Sequence, residues 1–208
     1  MKHFRKFFSF SFKKWLLFCI IFLSGCDMQQ KNISTPPSPA PSSIPETTNS
    51  PTPKKTYRQA VAQTEIFDQI PERTNNLHLA IQAINGMLLK PKEVFSFNEA
   101  VGNRTEEKGY QKAIGYDEHG EKKPTVGGGI CQIATTLYMA AKNGEFEIIE
   151  RHSHSHEVPY ADSDHDATVS YGGYDFQFRN NRDKPVKILI STDGKTVYAE
   201  ITDETKSP

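Results

Sequence analysis

The hexapeptide Gly127-Gly128-Gly129-Ile130-Cys131-Gln132 constrains this chain more than any other stretch, because three glycines open a run of helical pattern. Glycine takes backbone conformations that a side chain forbids and lets another group approach closely. Beyond it, Ile130, Ile133, Ala134, Leu137 and Ala141 recur at i, i+3, i+4 spacing, which predicts a buried helix. Asn143-Gly144 supplies the left-handed stop expected at its C-terminus. Cys131 is thereby placed in the first turn, where unpaired N–H groups and the positive end of the helix dipole favour thiolate. On the hexapeptide alone, a small cysteine packed in a glycine turn is the competing reading.

Cysteine usage narrows the choice. Lys2, Arg5, Lys6, Lys13 and Lys14 form a basic start, followed by an apolar run from Trp15 to Leu23 that is short for a bilayer span. It ends in Leu23-Ser24-Gly25-Cys26, which resembles a bacterial lipobox with Cys26 as the lipidated residue. Residues 1–26 are therefore expected to be a lipoprotein signal, with the protein outside the cytoplasm and anchored to the membrane through Cys26. Of three cysteines, Cys19 leaves with the signal and Cys26 carries lipid. Cys131 remains as an unpaired thiol in an exported chain, a pattern that signals reactivity. Removing the five basic signal residues leaves 20 basic against 25 acidic, a charge of −5. Without a basic patch, nucleic acid is excluded as a partner.

Residues 27–56 hold seven of the thirteen prolines, with Ser and Thr and almost nothing apolar. Such a stretch cannot bury a core and favours extended states. It reads as a tether, of roughly 70–80 Å over Lys31 to Lys55 at ~3.1 Å per residue. Residues 57–208 then form the folding unit, long enough for one core.

Within that unit, Val61 to Asp68 is ambiguous between strand and helix. Asn75 or Asn76 is expected to cap a helix carrying Leu77, Ala80, Ile81, Ile84 and Leu88, ended by Pro91. Val94 to Phe97 reads as a strand, and Lys112 to Thr125 as a hairpin turning at Glu118-His119-Gly120-Glu121. After Gly144 the pattern is β: Glu145 to His156, Ala167 to Tyr171, Tyr174 to Arg179, and a hairpin of Val186–Ser191 and Lys195–Ile201 about Asp193-Gly194. The fold class is α+β: N-terminal helices, including the buried helix that starts at Cys131, packed on a mostly antiparallel sheet.

Four of the seven histidines fall between His152 and His165, among Asp162, Asp164 and Asp166. On a strand of period two, His152, His154 and His156 share a face. This pattern suits thiol catalysis, with Cys131 on a helix, His154 on the next strand and Asp166 at the start of the one after. It also suits zinc held by His152, His154 and His156, or by a His-x-His pair with His165 or Asp166. The spaced aspartates could hold calcium, but they lack the glycine and distal glutamate of a recognised loop. Tyr171, Tyr174, Phe176 and Phe178 read either as core or as a sugar platform.

Gly127 to Gln132 with Thr135-Thr136-Leu137-Tyr138 resembles the signature of the VanW domain. So do Glu150-Arg151-His152-x-His154-Ser155, Tyr160, Asp166-Ala167-Thr168-Val169, Asp175-Phe176 and Asn180. Upstream, Asn85-Gly86, Pro91, Phe95-Ser96-Phe97-Asn98 and Gly109-Tyr110 match as well. Lys92 departs from the pattern, standing where glycine is expected after the proline, and Ala161 to His165 replace a Pro- and Gly-containing approach to Asp166. The resemblance implies L,D-transpeptidase-like acyl transfer on peptidoglycan stem peptides, with Cys131 as nucleophile. His154 would be the base, His152 the reserve, and Asp166 or Asp175 the orienting carboxylate. Gly128, Gly129 and Gln132 would form the oxyanion loop, and no cofactor is required. The rival readings are a non-catalytic peptidoglycan-binding lipoprotein and a zinc peptidase using the histidine cluster.

Overall fold

The computed structural model describes residues 57–116 and 121–204. The expected signal, the lipidated Cys26, the tether and most of the turn at Glu118–Glu121 lie outside the described residues. The described residues belong to one unit, Thr52–Pro208.

In chain order the elements are β1 (Val61–Glu65), α1 (Pro71–Ile84), β2 (Leu88–Leu89), β3 (Val94–Ser96) and α2 (Phe97–Val101). A 3-10 turn (Glu106–Lys108) leads to β4 (Lys112–Tyr116), β5 (Lys122–Val126) and α3 (Cys131–Asn143). Then come β6 (Glu147–Glu150), β7 (Gln177–Arg179), β8 (Val186–Thr192) and β9 (Thr196–Asp203). The strands form a four-stranded sheet ordered β1-β9-β8-β2, a three-stranded sheet β3-β7-β6 and the β4-β5 hairpin. Every ladder is antiparallel. This is an α+β fold.

The core forms where helical and strand periodicities meet. Val186, Ile188 and Ile190 of β8 alternate inward, as do Val197, Ala199 and Ile201 of β9. The β8–β9 turn is set by Asp193, whose Oδ1 accepts from Lys195 N (2.8 Å) and Thr196 N (2.7 Å). α3 lies against β1 and β9 and also reaches β6. Its Ile133, Ala134, Leu137, Ala140 and Ala141 are fully buried. Burial contributes about 1.5–3 kcal/mol for each large apolar side chain. Phe95, Phe97, Phe176 and Phe178 form the core of the second sheet, with Phe95 and Phe178 centroids 5.2 Å apart.

Several expected boundaries move. α1 starts at Pro71, not at Asn75 or Asn76: proline's fixed φ suits the first helical position, which needs no N–H donor. Leu88 lies outside α1, in β2. Asn76 is fully buried and clamps other backbone instead of capping. Gly144 closes α3 at φ −79°, and the left-handed residue is Glu145 at φ 56°. Position 144 needs glycine for space, since a Cβ there would lie 2.4 Å from the Ala60 Cβ. Lys92 adopts φ 71°, so the position where the resemblance implies glycine does have a glycine-type backbone. The strand expected over Glu145–His156 stops at Glu150, and Ala167–Tyr171 is not a strand.

Candidate active site

The glycine loop delivers Cys131 to one end of a cleft. Gly128 passes so close to β4 that a Cβ would meet the Ala113 carbonyl oxygen at 2.2 Å. Gly129 has φ 104°, and a Cβ there would lie 2.9 Å from Cγ of Arg73. Asn76 staples the loop from α1: Nδ2 donates to Gly128 O (3.0 Å) and Gln111 O (2.9 Å), and Oδ1 accepts from Gln111 N (2.8 Å). Cys131 is half-buried, its thiol 3.6 Å from Val169 O and 3.8 Å from Thr168 Oγ1.

His154 and Asp166 meet this cysteine. The His154 ring faces the thiol with one side and presents Nδ1 to Asp166 Oδ2 with the other. Its side chain is 4% exposed, and that of Asp166 2%. Asp166 is in turn held on every edge. Oδ2 also accepts from the His154 backbone N–H (2.7 Å), while Oδ1 accepts from Arg151 Nη2 (2.6 Å). Arg151 Nε donates to Asp166 O (2.6 Å), and Nη2 also to Ser163 O (2.5 Å). Thr135 of α3 donates to Ala167 O (3.2 Å) and accepts from Ala167 N (2.9 Å), fixing the next residue to the nucleophile's own helix.

Electrostatics follow from this chain. Burial alone would push the Cys131 thiol up, but the hydrogen bond and positive charge of His154, with the Thr168 hydroxyl, carry it below the ordinary thiol value. Burial alone would push His154 down, but its bonds and Coulomb attraction to Cys131 and then Asp166 raise it above ordinary imidazole. The pair therefore favours thiolate facing imidazolium. Arg104 is a further cation that feels the Cys131 charge: burial holds its guanidinium below the ordinary value, and the attraction of Cys131 offsets only part of that.

Other expected site residues sit elsewhere. His152 Nε2 bonds Glu150 Oε1 (3.0 Å), and its ring lies 4.6 Å from that of Tyr174, so it does not reach the thiol. Asp175 does not orient a histidine; Oδ2 bonds Ser96 Oγ (2.6 Å) and Oδ1 accepts from Asn98 N (2.9 Å), anchoring α2. The Gln132 N–H is already donated to Gly129 O (3.0 Å), which removes it as an oxyanion donor. Its amide is buried, donating to Thr64 Oγ1 (3.0 Å) and Glu65 O (2.7 Å) and accepting from Arg73 Nη2 (2.9 Å). The zinc alternative on His152, His154 and His156 loses its geometry, because those residues leave the strand and each ring turns to a different partner. His156 Nδ1 lies 3.1 Å from Ser155 Oγ. Among the described residues no three His, Cys, Asp or Glu side chains converge as metal ligands.

The cleft beside Cys131 has a volume of about 780 Å³ and is lined by Arg73, Arg151, His152, His154, Tyr160, Thr168 and Tyr174, among others. The four aromatic residues divide. Phe176 and Phe178 are core at 0% exposed, whereas Tyr171 and Tyr174 are 57% and 56% exposed, with Tyr174 lining the cleft. Arg73, Arg151 and Thr135 were not singled out from sequence. Arg151 stood inside a matched motif, but nothing in its spacing pointed to Asp166 fifteen residues on. No helix among the described residues is long and apolar enough to cross a membrane.

Comparison with known proteins places these features in a family. The sequence is 44% identical over 116 residues to the uncharacterized protein YoaR of Bacillus subtilis, covering 56% of this chain and 38% of that one. It is 31% identical over 142 residues to the vancomycin B-type resistance protein VanW of Enterococcus faecalis, covering 65% of this chain and 51% of that one. The chain thus spans about half or less of the length of these relatives. No solved structure matches. The family described as VanW like protein matches residues 72–202, from the first turn of α1 to the end of β9, and the chain belongs to this VanW-like family.

Proposed function

We propose that the protein is a cell-wall thiol acyltransferase acting on peptidoglycan stem peptides, with Cys131 as nucleophile, His154 as acid and base, and Asp166 as the orienting carboxylate. The observation that carries this reading is the continuous contact from Cys131 through His154 to Asp166 at the open end of a helix and inside a cleft. The Cys131 thiolate attacks the carbonyl of the third stem residue. The Cys131 N–H, at the first helical position and without a backbone acceptor among the described residues, stabilises the oxyanion. His154 then gives its proton to the leaving amine of D-alanine, releasing it and leaving a thioester. An incoming stem amine, deprotonated by His154, resolves the thioester to a cross-link; water resolves it to a shortened peptide. The vancomycin-resistance name of the Enterococcus relative supports a cell-wall substrate. Location belongs to the same proposal: the chain is held outside the cytoplasm by lipid on Cys26, and Cys26→Ala should release it from the membrane or block its processing.

The test is incubation with disaccharide-tetrapeptide, with intact-mass detection of a thioester on Cys131 and of released D-alanine. No thioester and no product would defeat the reading. The exposed Tyr171 and Tyr174 favour a second reading, a binding module whose cleft grips cell-wall ligand without turnover. A binding module keeps its affinity for sacculi after Cys131 is alkylated, whereas the enzyme loses activity.

A further inference from the structure

Arg73 is a cation of the cleft that pairs with no carboxylate among the described residues. It is the third residue of α1, half-buried, and it lines the cleft together with Gly129 and Cys131. Its one acceptor among the described residues is neutral, the Gln132 Oε1 at 2.9 Å from Nη2. Nε is buried and has no acceptor among the described residues. Four other arginines meet carboxylates: Arg151 with Asp166, Arg179 with Glu147, Arg182 with Asp203 and Arg58 with Glu145; Arg104, outside the cleft lining, bonds Asn98 Oδ1 and Gly102 O. Burying a guanidinium without a counter-charge is unfavourable unless something else supplies one.

The local structure keeps that fork in place. Gln132 cannot swing away, because its amide nitrogen is tied to Thr64 Oγ1 and Glu65 O. Gly129 makes the room, since a Cβ there would stand 3.0 Å from Nη1 and 3.1 Å from Cζ. Nη1 and the remaining Nη2 proton thus form an edge with donors to spare, fixed before any ligand arrives. Planar, paired donors match a carboxylate better than any other small anionic group of a peptide.

We propose that Arg73 anchors a carboxylate of the stem peptide beside Cys131, so that the cleft selects substrates by a free acid next to the scissile bond. This rests on the acyl-transfer reading for the identity of the peptide, though not for the presence of the anion site. Two carboxylates on such a peptide offer the same chemistry: the C-terminal carboxylate of the leaving residue and the side-chain carboxylate of the residue that gives the acyl group.

The experiment measures binding to full-length Cys131→Ala protein by calorimetry, using a synthetic tetrapeptide with diaminopimelate as third residue in three forms. These are the free acid, the C-terminal amide and the form amidated on the side-chain carboxylate. The expected result is that one amide binds about 10- to 100-fold more weakly than the acid, the factor typical of a charged hydrogen-bonded pair. That amide identifies the anchored group. Adding Arg73→Met, which keeps the stem packed over Gly129, should cost the acid the same factor and leave the weak amide unchanged. Arg73→Lys should recover part of the loss. The proposal is overturned if amidation changes nothing, if Arg73→Met weakens all three peptides equally, or if none of them binds. Thioester formation on the wild type separates the two readings. Arg73-dependent discrimination without a thioester defeats acyl transfer and leaves the anchor standing. Thioester formation at equal rates from acid and amides defeats the anchor and leaves acyl transfer standing.

Discussion

The two halves of the candidate site are built by opposite means. The Cys131 half is regular: a glycine loop feeding a helix whose 13 residues carry their own backbone bonds and whose apolar face is sealed against β1 and β9. The His154 half, between the end of β6 and the start of β7, has almost no repeating backbone pairing. It is held by side chains: Arg151 on Asp166 and Ser163, Thr135 on Ala167, and Asn98 Nδ2 on Ser170 O (3.1 Å) and Tyr174 O (3.0 Å). Cooperative packing positions the nucleophile, and a few polar staples position the histidine and its carboxylate. Substitutions in the first half should therefore damage the fold unless they touch only the thiol. Substitutions in the second should change reactivity out of proportion to stability.

The largest effect should come from the thiol itself. Cys131→Ala removes a side chain that is only half-buried at a loop–helix junction, so stability should change by about 1 kcal/mol or less. Turnover should fall by at least about 10³-fold, since no other group can form the thioester. Cys131→Ser should do nearly the same, because a hydroxyl is not ionised by the same neighbours. Wild-type turnover in Cys131→Ala, measured by mass spectrometry of products, would return the cysteine to a packing role.

Asp166→Asn should come next, at about 10²- to 10⁴-fold in activity. The pH dependence gives the sharper reading. Cys131 is held below the ordinary thiol value and His154 above the ordinary imidazole value, so the thiolate–imidazolium pair exists between those two limits. Turnover is lost as pH falls through the cysteine's value, for want of thiolate, and as it rises through the histidine's, for want of the proton that the leaving amine takes. Beside the larger contribution of Cys131, Asp166 also raises His154; asparagine removes that charge, so the alkaline limb should move to lower pH. A less cationic His154 also lowers the thiol less, so the acidic limb should move up. Turnover against pH should show a narrower bell, and iodoacetamide labelling, which needs only the thiolate, should show its acidic limb moved up; if neither moves, Asp166 only holds the loop.

Thr135→Val tests the seam between the halves. Valine keeps the shape on α3 but leaves the buried Ala167 N–H without its acceptor. The cost should be about 1–3 kcal/mol, read as a lower melting temperature. Activity should drop by about 10- to 100-fold as Asp166 shifts, because misplacement by an ångström has effects of that size. A stability loss with full activity would show that Arg151 alone sets the carboxylate.

The contrast also explains what was legible in the sequence. The α3 helix, the β8–β9 hairpin and the Cys131, His154 and Asp166 set could be read because period, turn residues and the counting of cysteines each leave a local mark. The strand expected over Glu145–His156 could not be corrected that way. Alternating polar residues mimic a strand, and the bonds that hold that segment away from the sheet, Arg151 to Asp166 and Ser163 and Thr135 to Ala167, leave no mark in the local pattern. Asn76 misled for a related reason: a helix-capping residue type was in use as a buried clamp on Gly128 and Gln111. Gln132 misled because its place after the cysteine suggested an N–H free for the oxyanion, when the local turn already returns that N–H to Gly129.

The smallest expected effect is that of chelation. A zinc peptidase needs three side chains aimed at one point with a position left open for water. Here the His154 ring is occupied on both sides, by Cys131 and Asp166, and His152 is turned to Glu150 and stacked with Tyr174. Gathering His152, His154 and His156 on one ion would take the His154 ring off Cys131, since Asp166 holds its other nitrogen, and would pull His152 off Glu150. Dialysis against EDTA should therefore leave both turnover and the melting temperature where they were. Elemental analysis of the purified protein should find zinc well below one equivalent. One tightly held zinc, lost together with activity and restored with it, would move the chemistry from the regular half of the site to the histidine half and reverse the assignment of Cys131.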